Sequence, residues 1–292
     1  MRAQVTLIPT ESKKLIAKAI ARTDEVQNAF HNGIVAIHPS SSTIFIVEEL
    51  VGKLPDTDVW VCGIIGPKAA CVSRERSQQS HVKTDGTRRA KSEFPNTWLI
   101  QKGKLSTGTT LAEILDRMKP DDIYIKGVNA VDTSNVVGIL GGDATEEGGT
   151  LGLVMARARH GAFKVVFPAG LEKLIPISIK EAAKEASFRN VLDYSMGMPC
   201  TLTPCEGIVV TELRAIEILS GAKAVPISAG GLGGAEGAVT MVIKGSDEEV
   251  TKAINYIEGV KGTKLPREVL MRECKSCESP KCSLKGGVKP WC

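Results

Sequence analysis

The most specific chemical signal in this sequence is a group of four cysteines in its last residues. Cys274 and Cys277 form a CxxC pair, Cys282 follows five residues later, and Cys292 is the last residue. Four thiolates complete a tetrahedral zinc shell, and in a CxxC pair two sulfur atoms converge on one ion. Iron–sulfur clusters also bind four thiolates, but these spacings match neither common ferredoxin pattern. The cysteines therefore predict a structural zinc site, with an iron–sulfur cluster and a metal-free tail as alternatives.

A second candidate site is a hydroxyl-rich loop between a predicted strand, residues 34–38, and a predicted helix, residues 44–50. The loop has four hydroxyl side chains in a row: Ser40, Ser41, Ser42 and Thr43. Such a loop offers amides, hydroxyl groups and the positive end of a helix dipole to a phosphate or carboxylate. The alternative is that these residues only cap the helix and form the turn.

Positive charge is concentrated in one segment. Between Lys68 and Lys104 there are nine basic and three acidic residues, whereas the whole chain has a net charge of +4. Residues 73–93 contain almost no apolar side chain, which predicts a loop or an exposed hairpin around Asp85-Gly86. Three interpretations stay open: a solvated surface, a cationic flap over an anionic ligand, and an RNA-binding patch. The flap is favoured over the patch because no aromatic residues are interleaved for base stacking.

The composition is that of an ordinary globular protein. The 292 residues are 42% hydrophobic and 24% charged, which predicts one or two domains. No apolar run reaches the roughly 18 residues of a membrane span, and lysines occupy the place of a signal-peptide core. We therefore expect a cytoplasmic protein without membrane contact. The four histidines lack metal-ligand spacing, and no Ser/His/Asp set, P-loop or HExxH motif is present.

Apolar runs and helical patterns alternate along most of the chain. The predicted elements are helices over residues 10–30, 109–118 and 150–159, and strands over residues 58–65, 123–126, 136–140 and 164–168. This alternation predicts an α/β fold with a mostly parallel, doubly wound sheet and a ligand at its carboxyl ends. Residues 121–152 hold two apolar runs that end in polar, glycine-rich turns, so we expect them to form the floor of the site.

The pattern changes after residue 192. A strand at 208–210, a helix at 212–219, and strands at 222–228 and 238–244 predict a small βαββ lid subdomain. The glycine-rich residues 230–237 fail as a dinucleotide fingerprint, because Glu236 replaces the third glycine and a strand follows. The predicted domains are residues 1–192 with 246–265, including the basic insert 68–104; the lid, 193–245; and the cysteine tail, 266–292.

Taken in order, these elements resemble the type A ribose-5-phosphate isomerases and their wider superfamily, which includes DeoR-type sugar sensors and CoA transferases. The family's phosphate loop resembles residues 38–43 (HPSSST). Its aspartate-rich turn and glycine-rich loop resemble residues 127–132 (GVNAVD) and 139–142 (ILGG). Its next strand resembles residues 164–176, and its lid resembles residues 206–245. The likeness covers most of residues 10–262.

The departures from that family concern its catalytic residues. Asn129 stands where the family has its first signature aspartate, Leu140 stands where it has a lysine, and its Arg-Glu-Lys run is missing after Gly149. Sugar isomerisation needs a carboxylate base. The remaining acid–base candidates are Asp132, Asp143, Glu146 and Glu147. The resemblance therefore implies a pocket for an anionic molecule more than it implies the same reaction.

The functional prediction combines the loop with this pocket. We expect a phosphorylated, sugar-like ligand, or a CoA or carboxylate ligand, to bind Ser40 to Thr43, with Asn129, Gly141 and Gly142 beside it. The protein is expected to form a homo-oligomer. The alternative is a nucleic-acid-binding or regulatory protein that uses the basic insert and a zinc-bound tail.

Overall fold

The computed structural model describes residues 1–78, 97–141, 149–187, 191–277 and 282–290. In these ranges the fold is mixed α/β, as the sequence predicted. The strands are β1 (Arg2–Leu7), β2 (Ile34–Ile37), β3 (Gly63–Ile65), β4 (Ala70–Val72), β5 (Trp98–Gln101), β6 (Lys104–Ser106), β7 (Ile123–Ile125), β8 (Ala130–Val131), β9 (Val137–Gly141), β10 (Lys164–Pro168), β11 (Thr201–Cys205), β12 (Ile208–Val210), β13 (Lys223–Gly230) and β14 (Ala238–Lys244). The helices are α1 (Pro9–Ile20), α2 (Asp24–Asn32), α3 (Ile44–Val51), α4 (Arg74–Gln78), α5 (Leu111–Arg117), α6 (Gly149–Arg159), α7 (Ile179–Ala186), α8 (Glu212–Ser220) and α9 (Asp247–Glu258), with 3₁₀ turns at Leu171–Lys173 and Lys285–Gly287.

A six-stranded central sheet has the order β12-β10-β7-β2-β5-β6. Strands β12, β10, β7 and β2 are parallel, whereas β5 is antiparallel to both of its neighbours. The side chains of β2, β7 and β10 are buried apart from Lys164, and Ile37, Ile125 and Phe167 are fully buried, as expected for strands covered on both faces. The four parallel strands end at the same side of the sheet, which we call the carboxyl edge.

Alternate side chains of the central sheet enter two different apolar clusters, because successive residues of a strand point to opposite faces. Ile37 and Ile125 belong to the first cluster, with residues of α1, α3, α8 and α9. Tyr124 and Phe167 belong to the second cluster, with residues of α5 and α6. No helix in the described part of the chain is long and apolar enough to cross a membrane.

The strands of the expected βαββ unit are divided among different sheets. Strand β12 joins the central sheet, whereas β13 and β14 form an antiparallel sheet with β1. Strand β1, which the sequence analysis did not identify, pairs along its whole length with β14. The run predicted at residues 136–140 forms β9, which is antiparallel to β8 and β11. Periodicity identified most of these segments as strands, but their partners lie far away in the sequence.

Two other elements differ from the prediction. The helix predicted over residues 10–30 is two helices, α1 and α2, because Thr23 is extended and its hydroxyl group donates to the Ile20 carbonyl at 3.0 Å. Of the strand predicted at 58–65, Gly63–Ile65 forms β3, and it pairs with β4 outside the central sheet. The reason is a tight reversal, in which the Gly66 amide donates to the Ala69 carbonyl at 3.1 Å.

A buried carboxylate fixes the start of β2 against the start of β7. Asp122 is 4% exposed. Its two carboxylate oxygens accept hydrogen bonds of 2.7 Å from the amides of Ile34 and Lys119. Gly33 leaves the space for this carboxylate, because a Cβ atom there would overlap Asp122 Oδ1.

We expect Gly33→Ala to lower the free energy of unfolding by about 2–4 kcal/mol, because the added methyl group displaces the Asp122 carboxylate from two buried amides. Gly63→Ala is the matched control, since a Cβ atom at Gly63 has no neighbour within 4 Å. Urea unfolding of both variants measures the difference. Equal stability of the two variants would contradict this role of Gly33.

Candidate functional site

Charged and polar side chains collect at the carboxyl edge because each parallel strand leads into a turn there. His38 and the loop 40–43 follow β2, Lys126 follows β7, and Glu212 lies just after β12. Glu172 and Lys173 lie in the 3₁₀ turn after β10. Helix α1 adds Lys13 from the side.

Two hydroxyl groups stabilise the serine loop itself. Ser40 Oγ accepts hydrogen bonds from the amides of Ser42 at 3.3 Å and Thr43 at 3.1 Å. The Thr43 hydroxyl group donates to the His38 carbonyl at 2.6 Å, and Thr43 is fully buried. Gly127 packs against the loop, since a Cβ atom there would lie 2.7 Å from Ser40 Oγ. Ser40 and Thr43 therefore act as turn and cap residues, and they occupy two of the loop amides.

The other two hydroxyl groups contact lysines. Lys13 Nζ donates to Ser41 Oγ at 3.2 Å, and Lys173 Nζ donates to Ser42 Oγ at 3.4 Å. Burial and the nearby charge of Lys173 lower the pKa of Lys13 to about 8, against the opposite influence of Glu172. Two ammonium groups from separate elements thus meet at one loop. An anion bound there would relieve their repulsion.

A third lysine lies at the same edge. Burial lowers the pKa of Lys126 to about 8. Burial and the charges of Lys126 and Arg76 lower the pKa of His38 well below its usual value, so His38 is neutral at pH 7. His38 Nδ1 is buried and has no hydrogen-bond partner in the described residues. The charge at this edge therefore depends on lysines and carboxyl groups.

Two carboxyl groups, Glu172 and Glu212, lie at the same edge. Glu212 is fully buried, and its oxygens accept from the Leu171 amide at 3.1 and 2.9 Å. Burial and the charge of Glu172 raise the pKa of Glu212 to about 7. The oxygens of Glu172 are buried without a hydrogen-bond partner in the described residues, and Lys173 Nζ lies 3.7 Å from one of them. A carboxyl group that titrates near neutrality beside a second carboxylate suits general acid–base chemistry.

The predicted pocket residues Asp132, Asn129 and Gly141 make backbone contacts. Asp132 Oδ1 accepts from the amides of Ser134 at 2.9 Å and Val136 at 3.0 Å, and Oδ2 accepts from Ile179 at 3.0 Å. Burial raises the pKa of Asp132, but the hydrogen bonds from these amides lower it by more. The pKa of Asp132 is therefore below its usual value. Asp132 thus connects the β8–β9 hairpin to α7, and both of its carboxylate oxygens already accept hydrogen bonds from backbone amides.

Asn129 and Gly141 hold the same sheet together. Asn129 Oδ1 accepts from the Leu140 amide at 2.9 Å, and the Gly141 carbonyl accepts from the Thr201 hydroxyl group at 3.2 Å. The sheet approaches the 3₁₀ turn at Lys173, since the Ile175 amide donates to the Val131 carbonyl at 3.0 Å.

Several predicted residues lie outside the described ranges. These are Gly142, Asp143, Glu146, Glu147 and Cys292, together with residues 79–96 of the basic segment.

The remaining predicted metal ligands lie near a cysteine that the sequence analysis did not select. Cys71, Cys274, Cys277 and Cys282 line a cavity of about 30 Å³. Burial and the neighbouring Cys277 and Cys282 raise the pKa of Cys71, whereas a hydrogen bond from the Val72 backbone lowers it by a smaller amount. Within the described ranges, no three Cys, His, Asp or Glu side chains are placed to hold a metal ion as they stand. The zinc site stays a prediction.

Five charged residues of the carboxyl edge were not among the predicted site residues: Lys13, Lys126, Glu172, Lys173 and Glu212. A signal existed for four of them, because each lies at the end of a predicted strand or within five residues of it. Lys13 had no such signal, because it lies on a helix that only the tertiary structure brings to this edge.

No family model, curated protein or solved structure matched this chain. The resemblance to type A ribose-5-phosphate isomerases therefore stays a prediction, and the chemistry of the site rests on the residues described above.

We expect Glu212→Gln to stabilise the protein at pH 8. The native state keeps the Glu212 proton up to about pH 7, whereas the unfolded chain releases it near pH 4.5. Because the native state holds a proton that the unfolded chain has released, the wild-type free energy of unfolding falls as pH rises from about 4.5 to 7, by on the order of 3 kcal/mol. Urea unfolding between pH 4.5 and 8 measures the trend. Glu217→Gln, on the exposed side of α8, is the control, and destabilisation of Glu212→Gln at every pH would contradict the expectation.

We expect Asp132→Asn to lower the free energy of unfolding by about 1–3 kcal/mol, because an amide group cannot accept all three backbone hydrogen bonds. Because its pKa is lowered in the native state, the wild-type advantage should be present above about pH 4 and disappear as pH falls through the native pKa. The exposed Asp121→Asn is the control. Unchanged stability of Asp132→Asn would contradict this structural role of Asp132.

Proposed function

We propose that this protein binds an anionic small metabolite at the carboxyl edge. The observation that carries the proposal is the pair of ammonium groups, Lys13 and Lys173, that donate to Ser41 and Ser42. The ligand class is a phosphorylated, sugar-like molecule, or a CoA ester or other carboxylate.

The electrostatics of the lysine pair support an anionic ligand. Lys13 makes no salt bridge in the described ranges, in contrast to Lys14 and Lys18 of the same helix, which pair with Glu49. Its lowered pKa reflects lost hydration and repulsion from Lys173. Both penalties would fall when a phosphate or carboxylate binds between the two groups, because the opposite charge stabilises the protonated form. A site of this kind is preorganised for an anion.

The β13–β14 connection lies near this site. Gly237 is close to Glu172, since a Cβ atom there would lie 3.6 Å from Glu172 Cβ and 3.1 Å from Pro9 Cγ. Leu232, in the same connection, is 85% exposed. We propose that residues 230–237 form a lid over the carboxyl edge of a doubly wound α/β sheet. The glycines would let the lid adjust its backbone around a ligand.

We propose that any reaction at this site uses Glu172 and Glu212 for proton transfer. Glu212 would donate or store a proton near neutral pH, and the Glu172 carboxylate, whose oxygens accept no hydrogen bond in the described residues, would accept one. Asp132 suits this role less well, because backbone amides occupy its oxygens. The altered signature residues argue against ribose-5-phosphate isomerisation.

The alternative, a nucleic-acid-binding or regulatory function, uses the basic insert 68–104 and a zinc-bound tail, and residues 79–96 of that insert lie outside the described ranges. No observation among the described residues favours it. A homo-oligomer also stays a prediction, as does a cytoplasmic location.

Lys13→Met and Lys173→Met are expected to weaken binding of the anionic ligand at least tenfold, about 1.4 kcal/mol each, because each removes one charge-assisted contact. A thermal-shift panel of sugar phosphates, CoA esters and small carboxylates identifies the ligand, and calorimetry measures its affinity. Lys18→Met is the matched control, since Lys18 lies on the same helix but pairs with Glu49. Wild-type affinity should also fall above about pH 8, where Lys13 loses its charge.

A panel with no thermal shift at all would contradict the proposal. Equal weakening by Lys18→Met and Lys13→Met would also contradict it, because it would assign the effect to the general charge of α1.

A further inference from the structure

The tail of the chain packs against the β3–β4 hairpin in a defined register. Ser73 and Met271 form an antiparallel bridge, and the Arg74 amide donates to the Leu270 carbonyl at 2.8 Å. Cys71 lies two residues before Ser73 and Cys274 lies three residues after Met271, and both cysteines line the same cavity. A strand cysteine and the first cysteine of the CxxC pair are thus held together by backbone contacts more than 190 residues apart in the sequence.

A second set of backbone contacts holds Cys282 near Cys71. The Ser283 amide donates to the Ser195 carbonyl at 3.0 Å, and the Met198 amide donates to the Ala70 carbonyl at 2.8 Å. The loop that contains Ser195 and Met198 therefore connects the neighbours of both cysteines. Gly197 in this loop has φ +88°, and a Cβ atom there would lie 2.5 Å from the Ala70 carbonyl oxygen. This close approach leaves little freedom in the position of Cys71 relative to the tail.

We propose that Cys71, Cys274, Cys277 and Cys282 bind one zinc ion, with Cys71 as the fourth ligand in place of Cys292. These four cysteines line one cavity, and four thiolates form the closed tetrahedral shell of a structural zinc site. The side chains must turn inwards to reach Zn–S distances of about 2.3 Å.

The surroundings of the cavity suit a zinc–thiolate centre. One zinc ion uses all four of the cysteines that line the cavity, and the spacing of the tail cysteines matches neither common ferredoxin pattern. The Leu284 amide donates to Cys282 Sγ at 3.4 Å, as outer-shell groups do for metal thiolates. Lys68 and Arg272 also line the cavity, and their positive charge would offset the net negative charge of a four-thiolate zinc centre.

This ligand set would connect the tail to another part of the chain. A site made only from the tail would organise the tail by itself, whereas a site that includes Cys71 fastens the tail to the β3–β4 hairpin. Four protein ligands leave no open position for a substrate, so the centre would stabilise the fold.

The test measures metal in the full chain, purified under reducing conditions without chelator. Elemental analysis should give about one zinc ion per wild-type chain. Cys71→Ser should lower this content at least about tenfold, as loss of a ligand does, whereas Cys292→Ser should keep it. Cys200→Ser is the matched control, because Cys200 is half-buried like Cys71 but does not line the cavity. Zinc lost from Cys292→Ser but kept in Cys71→Ser, iron with sulfide in place of zinc, or no metal in the wild type would each overturn the proposal.

Two further measurements distinguish the loss of a zinc ligand from a folding defect in Cys71→Ser. Cys71→His should restore zinc, since Cys₃His shells are common. In the Co²⁺-substituted wild type and Cys292→Ser proteins, the visible spectrum should report four thiolate ligands. In Co²⁺-substituted Cys71→His it should report three, and four thiolates there would contradict the assignment of Cys71.

Discussion

The parallel pairing of β2, β7, β10 and β12 is the constraint on which the rest of the structure depends. Parallel strands with shared register must end on one side of the sheet. The turns that follow them therefore bring Lys126, the serine loop and the Glu172–Lys173 turn together, although these segments are far apart in the sequence. The buried aliphatic side chains of the strands hold this arrangement in place, so the position of the charged groups follows from the packing of apolar ones.

The carboxyl edge concentrates ionisable groups in a region with little water. Desolvation acts on both signs of charge: it lowers the pKa of Lys13 and Lys126 and raises the pKa of Glu212. The edge therefore holds groups that gain or lose protons between about pH 7 and 8, whereas Asp132 stays ionised because backbone amides stabilise its charge. This separation distinguishes residues suited to binding and proton transfer from residues that hold the fold.

The cysteine cavity and the carboxyl edge are connected through the β3–β4 hairpin. The Ser73 amide donates to the Cys62 carbonyl at 3.2 Å, and the Ser73 hydroxyl group donates to the Val61 carbonyl at 2.7 Å. Arg76, on the helix that follows, acts electrostatically on both Cys62 and His38. A metal that fastened the tail to this hairpin would therefore also limit the movement of Arg76 relative to His38 at the carboxyl edge.

The sequence by itself determined the local elements and their chemical types. Strands β10, β12 and β14, helices α6 and α8, the serine loop and the CxxC pair followed from periodicity, cap residues and spacing, all of which depend on near neighbours. It did not determine that β1 pairs with β14, that Lys13 donates to Ser41, or that Cys71 and Cys274 line one cavity. Those contacts join residues from about 30 to more than 200 positions apart, and local patterns contain no information on which distant segments meet. Long-range packing of the apolar faces, with the hydrogen bonds that it makes possible, decided them.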